Sequence, residues 1–215
     1  MRLFYYSKKC SPTILFSIIW LLLPVSGCKQ KSEEPKVTKP MVSLENLQIA
    51  YGKALKYQRM YQLFTAQAER ERNTQVTLLY KALASSEEIH SNNHAKLLRA
   101  QGSEPKQPVY DSVVVGKTLQ TLKMALSSEE IEVQSMYPNL IRSAELEKFQ
   151  EAQNQFQTTL DADARHVELL NDALDRNGKI PKTQYLVCQG CGYIATSTID
   201  VCPLCQSNKE TFKKI

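Results

Sequence analysis

The chain has 215 residues, with 27 Lys and Arg against 22 Asp and Glu, a formal net charge of +5. Three of those bases (Arg2, Lys8, Lys9) precede residue 28, where no acid occurs, so from Cys28 onward 24 bases face 22 acids, too even a balance to point to nucleic acid. With 42% hydrophobic and 23% charged residues the chain is not disordered throughout, and seven Gly and nine Pro exclude a collagen-like or low-complexity protein.

Residues 1–27 combine a basic start, an apolar run over 14–23 and Val25-Ser26-Gly27 before Cys28, the layout of a secretory signal. The ten-residue run is short for a hydrocarbon core of about 30 Å. Val-Ser-Gly-Cys resembles the lipobox of bacterial lipoproteins, in which small residues fit the peptidase and the thiol, here that of Cys28, takes the lipid. The expectation is an exported protein held to the bacterial cell envelope by lipid on Cys28, on the periplasmic or outer membrane face. An uncleaved anchor with an incidental cysteine is the competing reading. Residues 28–42 read as a tether, polar and Pro-containing over 29–40.

Apolar residues then recur at steps of three and four, the mark of helices packed on one face. The first stripe runs from Leu47 through Ala54, Tyr57 and Tyr61 to Ala68, and the second from Leu79 through Glu87, His90 and His94 to Leu97. The third is Leu119, Leu122, Leu126, Glu129, Val133, Met136 and Leu140. The fourth runs from Leu146 and Phe149 through Phe156 and Asp163 to Leu174. Helices are predicted near 43–72, 74–101, 117–143 and 145–176, with Pro138 kinking the third or ending one piece of it. They make an all-α four-helix bundle over 43–178.

Glu87, Glu129 and Asp163 stand mid-stripe where leucine would be expected, and His90, Glu132 and His166 follow them by three. Residues three apart share a helix face, so four carboxylates and two imidazoles gather at one depth. Buried carboxylates that close cannot all ionise without a counter-charge, and no Lys or Arg lies on these stripes at that level. A pair of divalent metals supplies the charge, and oxygen with imidazole suits iron or manganese. The competing reading, three solvated faces, needs all three pairs to coincide in register by accident. His94, a turn beyond His90, is expected to pack rather than ligate.

The tail over 183–215 carries Cys188-Gln-Gly-Cys191 and Cys202-Pro-Leu-Cys205. Each pair forms a tight turn aiming two thiolates at one ion, and four thiolates fit tetrahedral iron or zinc. Two disulfides are the alternative in an oxidising space. The segment is too short for a core of its own, so the metal would hold it, covered by Tyr185, Tyr193 and Phe212.

A four-helix bundle with two acidic-x-x-His pairs, followed by Cys-x-x-Cys-Gly-Tyr and Cys-Pro-x-Cys, resembles rubrerythrin over roughly 43–215. Asn46-Leu47-Gln48, Glu-Glu-Ile-His at 87–90 and Met136-Tyr137-Pro138 belong to the likeness. The resemblance implies a ferritin-like di-iron bundle with a rubredoxin-like domain. It implies Glu87, His90, Glu129, Glu132, Asp163 and His166 as bundle ligands, with Asp163 in place of the usual Glu. Glu132 and His90 would exchange as the irons change redox state. Cys188, Cys191, Cys202 and Cys205 would hold one iron, with a structural zinc as the alternative. The family's first helix carries a Glu ligand, but alignment through Asn46-Leu47-Gln48 puts Ala54 there, and alignment on Gly52 puts Lys53.

The resemblance thus implies an oxidoreductase reducing hydrogen peroxide, with Glu132 and His90 acting in the reaction and electrons passed from the Cys-ligated iron of a partner subunit in a homodimer. The electron donor is not legible. The alternative is a non-catalytic metal-binding or electron-transfer lipoprotein whose bundle site lacks one ligand, with Lys53 turned inward in place of a metal's charge. A protein-binding zinc ribbon in the tail is the remaining possibility weighed.

Overall fold

The computed structural model describes residues 40–215, so the signal segment, the lipobox and most of the tether lie outside the described residues. Helix α1 is Met41–Arg70 and α2 is Thr74–Ala100. The turn between them is made by Arg72 at φ 58° and by Asn73, whose side chain accepts from the Val76 N–H and caps α2. Gly102, at φ 69°, ends α2, with the Ser103 N–H returning to the Leu98 carbonyl at 3.0 Å. The chain then crosses α1, fixed by two hydrogen bonds between Gln48 and Lys106 at 2.7 and 2.8 Å.

The third helix departs from the expected single stripe. Helix α3, Thr118–Ile131, passes into a π-helical segment, Glu132–Met136, and resumes as α4, Tyr137–Leu146. Pro138 lies in the first turn of α4, where a missing N–H costs little, so it ends one piece and starts another. The wider π turn moves the inward face on by one residue. After Glu132, buried as expected, Tyr137 is buried where Met136 was expected, and Val133 is only half-buried; at the start of α3 Leu119 is exposed. Helix α5, Gln150–Asp175, starts later than 145, because Lys148 at φ 56° turns the chain and Leu146 faces solvent.

Two apolar clusters form the core. One holds Tyr61, Phe64, Leu79, Leu83, Leu122 and Leu170, the other Leu47, Leu98, Tyr137, Leu140 and Phe156. Buried Ser86, Glu87, His90, Glu129, Glu132, Asp163 and His166 belong to neither cluster. In sequence they fall, on α2, the third helix and α5, between the stretches that supply the two cores. The bundle thus encloses a polar layer.

The tail forms a three-stranded antiparallel sheet, ordered β2 (Ile194–Ala195), β1 (Leu186–Cys188), β3 (Phe212–Lys214). Tyr185 is buried in the bundle's own core with Val187 and Ile194, rather than covering the cysteines as the sequence suggested. Tyr193 and Phe212 do pack on them. Among the described residues no helix is long and apolar enough to cross a membrane.

Candidate metal centre

Glu87, Glu129, Asp163 and His166 each offer a ligand atom, and these atoms lie within 4.8 Å of one another. All four are essentially inaccessible, as are His90 and Glu132. His166 Nδ1 faces three carboxylate oxygens: Glu129 Oε1 at 3.2 Å, Asp163 Oδ1 at 3.4 Å and Glu87 Oε1 at 3.7 Å. His90 Nδ1 faces Asp163 Oδ1 at 3.4 Å and Glu87 Oε2 at 3.7 Å, so it borders the same cluster.

The other nitrogen of each ring fixes its tautomer. His90 Nε2 lies 3.1 Å from the Cys191 carbonyl, which only accepts, so Nε2 carries the proton. Ser86 Oγ donates its one proton to the Gly192 carbonyl at 2.7 Å and therefore accepts from His166 Nε2 at 2.9 Å. Burial keeps the His90 ring neutral, so its Nδ1 lone pair points at carboxyl oxygens, and His166 Nδ1 faces such oxygens too. A cation between them resolves the conflict, and the distal N–H groups held by carbonyl and hydroxyl orient both rings for it.

The unpartnered atoms say the same. Glu87 Oε1, His90 Nδ1, Glu129 Oε2, Glu132 Oε1 and both Asp163 oxygens are buried without a hydrogen-bond partner. Orphaned acceptors are expensive in a packed interior. Burial first, then the charges of Glu129 and Glu132, hold the Glu87 carboxyl well above the usual carboxylate range. Burial, then Glu129 and Glu87, do the same to Asp163. Burial followed by Glu129 pushes Glu132 up to about 8, and burial lowers His94 to about 3. Carboxylate and imidazole donors suit iron, and the residues present fit it.

His94 Nε2 lies 3.4 Å from the Tyr137 hydroxyl and its ring stacks on that of Tyr137, a packing histidine as expected. The first helix brings no carboxylate. Ala54 is buried, Tyr61 donates to Glu129 Oε1 at 2.5 Å, and Lys53 Nζ lies 3.7 Å from Glu132 Oε1. No Lys or Arg lies on the stripes at this level, but Lys53 reaches it from beside its stripe, the inward turn of the alternative reading. The lysine sits one residue off the apolar stripe, and its long stem lets the ammonium reach back to the site.

The four cysteines are free thiols gathered into one group. Cys188 and Cys205 sulfurs are 3.5 Å apart, as are those of Cys191 and Cys202. A disulfide needs about 2.05 Å. Metal–sulfur bonds of about 2.3 Å put the sulfurs of a tetrahedron about 3.8 Å apart. A hydrogen bond from the Cys191 thiol, then the Gly190 and Cys191 N–H groups, pulls the Cys188 thiol down to about 4, so it ionises readily for a metal.

The two sites touch through the Cys191-Gly192 backbone. Gly192 has φ +88°, and a methyl group on it would run into His90 Nε2 and lie 2.7 Å from Ser86 Oγ. Asn93 donates to the Gly190 carbonyl and Arg165 to that of Ile194. The contact is made within one chain. Sequence reading missed Ser86, Tyr61 as a donor to Glu129, and Gly192. Ser86 left one trace, a small polar residue four before His90 and so on the same helix face.

The sequence model of the family described as rubrerythrin matches residues 45–174. Rubrerythrin-2 of Clostridium acetobutylicum is 30% identical over 186 residues, 81% of this chain and 97% of the relative. Nigerythrin of Nitratidesulfovibrio vulgaris is 26% identical over 171 residues, 79% of this chain and 85% of the relative. The solved mixed-valence state of nigerythrin superposes with a TM-score of 0.74 at 26% identity, covering 80% of this chain and 86% of that one.

Proposed function

The chain belongs to the rubrerythrin family, di-iron oxidoreductases with a rubredoxin-like domain, and on that premise we propose that it reduces hydrogen peroxide at the buried cluster with electrons received through the four-cysteine site. One observation carries the reading. The Cys191-Gly192 backbone holds the N–H side of His90 directly and that of His166 through Ser86, so the two metal sites share one hydrogen-bonded seam.

Iron bound in the bundle supplies one-electron steps and polarises the oxygen atoms of peroxide. Reducing peroxide to water consumes two electrons and two protons. Glu132, buried at the margin of the tight four-residue group, is the chain's group best placed to hold such a proton. Tyr61 steadies Glu129 by hydrogen bond, and the apolar clusters on either side keep bulk water from the layer. His90 and Glu132, both at the margin of the tight four-residue group, are the pair proposed to exchange. The reductant comes from outside the chain, and a homodimer belongs to the same reading.

The test is anoxic peroxide consumption by iron-loaded protein with an artificial one-electron donor. Two donor equivalents per peroxide are expected, and zinc in the four-cysteine site with iron in the bundle should slow turnover at least about tenfold. Consumption no faster than that by free iron would leave the second reading, a bundle that binds metal without turning over. Ala54 favours that reading.

We also propose attachment to the cell envelope through lipid on Cys28, supported by the basic start, the apolar run and Val-Ser-Gly-Cys. Cells making the protein should incorporate labelled fatty acid into it, and Cys28→Ser should abolish the label. An unlabelled natural chain would refute the anchor.

A further inference from the structure

We propose that Lys53 is a built-in cation that makes the two metal positions of the bundle unequal. The position held by Glu87, Glu129, Asp163 and His166 binds a divalent ion tightly. The neighbouring one, on the side of Glu132 and His90, binds it weakly. The inference rests on reading this cluster as a metal-pair site.

The ligand count is the first support. Four donors within 4.8 Å of one another complete one position from α2, α3 and α5 alone. What is left for the other position is Glu132 and His90, whose Nδ1 faces Asp163 Oδ1 at 3.4 Å and Glu87 Oε2 at 3.7 Å. Helix α1, which packs along this side, gives it no oxygen anion. Its two acids, Glu45 and Glu69, are exposed toward its ends, and Ala54 presents a methyl group.

The second support is where the ammonium sits. Lys53 Nζ donates to the Tyr57 hydroxyl at 2.7 Å and lies 4.3 Å from the centre of that ring. Tyr57 in turn donates to the Ser128 carbonyl at 3.2 Å, next to Glu129 in the chain. The charge is therefore held in place, 3.7 Å from a Glu132 side chain only 2% exposed. Glu132 already has a cationic neighbour, and an incoming divalent ion meets a like charge beside this buried carboxyl, though the Lys53 side chain itself is 31% exposed.

The third support is the charge on the outer side of Lys53. Lys53 also lines an outer cavity of about 330 Å³ together with Lys56, Lys106, Gly52 and Pro108. Lys56 is paired with Asp111 at 3.1 Å, and the ammonium charge that Lys53 and Lys106 add at this cavity disfavours a cation there.

Manganese(II) is the probe, added to the full metal-stripped chain with zinc in the four-cysteine site. In the natural protein the first equivalent should bind tightly and give an uncoupled six-line electron paramagnetic resonance spectrum. The second should bind at least about tenfold more weakly, the scale on which groups around a metal tune affinity. Lys53→Met should narrow that gap about tenfold, while Lys53→Arg keeps it. Lys53→Met combined with Ala54→Glu should take two equivalents of similar affinity and give a spin-coupled spectrum. Equal affinities in the natural chain, or a gap unchanged by Lys53→Met, would overturn the proposal. Peroxide turnover is not read, so this result and the peroxide assay stand or fall separately.

Discussion

Glu129→Ala is expected to strip the bundle of iron while the four-cysteine site keeps its own. Glu129 belongs to the tight group of four and is the residue on which the others converge. It is 3.2 Å from His166 Nδ1, it accepts from Tyr61, and it is among the charges that push Glu87, Glu132 and Asp163 upward. Changes beyond the ligands already shift metal affinity ten- to a hundredfold, so losing the carboxylate on which the tight group converges should cost at least about a hundredfold. Peroxide turnover should fall by at least the same factor. The measurement is iron per chain after gel filtration, with the visible spectrum of the cysteine-ligated iron as internal control. Glu130→Ala, one residue along and half-buried, should change neither. A Glu129→Ala protein that keeps its bundle iron would remove this cluster from consideration as the metal centre.

The protein with no metal in its bundle is expected to become less stable as pH rises from 6.5 to 8, and divalent metal there is expected to abolish the slope. Glu87, Glu132 and Asp163 are all raised in the folded chain, Glu132 to about 8. A carboxyl raised by folding ionises in the unfolded chain first. Its stabilising contribution is complete below the unfolded value near 4.5 and is lost as pH climbs through the folded one. The buried histidines act in the opposite sense. His90 and His94 are lowered, chiefly by burial, His94 to about 3, so they weaken the fold only as pH drops below about 6.5. Between 6.5 and 8 the lowered Cys188 thiol would act in the opposite sense to the carboxyls, so zinc is kept in the four-cysteine site, and the carboxyls then set the slope at about 1.4 kcal/mol per pH unit for each one kept protonated. Melting curves of the stripped protein at pH 6.5 and 8, with and without manganese, check this. A stripped protein equally stable at both pH values would show that the carboxylates are already compensated. Glu129→Ala should flatten the slope, because it removes a shared source of repulsion.

Much of this was legible along the chain. Charges mid-stripe at Glu87, Glu129 and Asp163, each with a partner three residues on, declared a polar layer inside an apolar bundle. A helix of fixed period converts spacing directly into a shared face. The two Cys-x-x-Cys turns were legible for the same reason, since each is local and complete in four residues. The third helix was misread past Glu132 because a π turn changes the period itself, and no residue in Glu132–Met136 announces that change.

Sequence by itself determined which residue types share a face, and therefore the four helices, the candidate metal-binding residues and the four-cysteine cluster. Only the tertiary structure decided which faces meet. It placed Ser86 and the Cys191-Gly192 carbonyls against the two histidines, across more than a hundred residues for Ser86 and Gly192. It buried Tyr185 in the bundle rather than over the cysteines, and it brought the Lys53 ammonium to Glu132 from a position one residue off its stripe. Those contacts join segments with no common period. They depend on how the helices and the tail pack and on where a flexible four-carbon stem ends, neither of which the order of residues specifies locally.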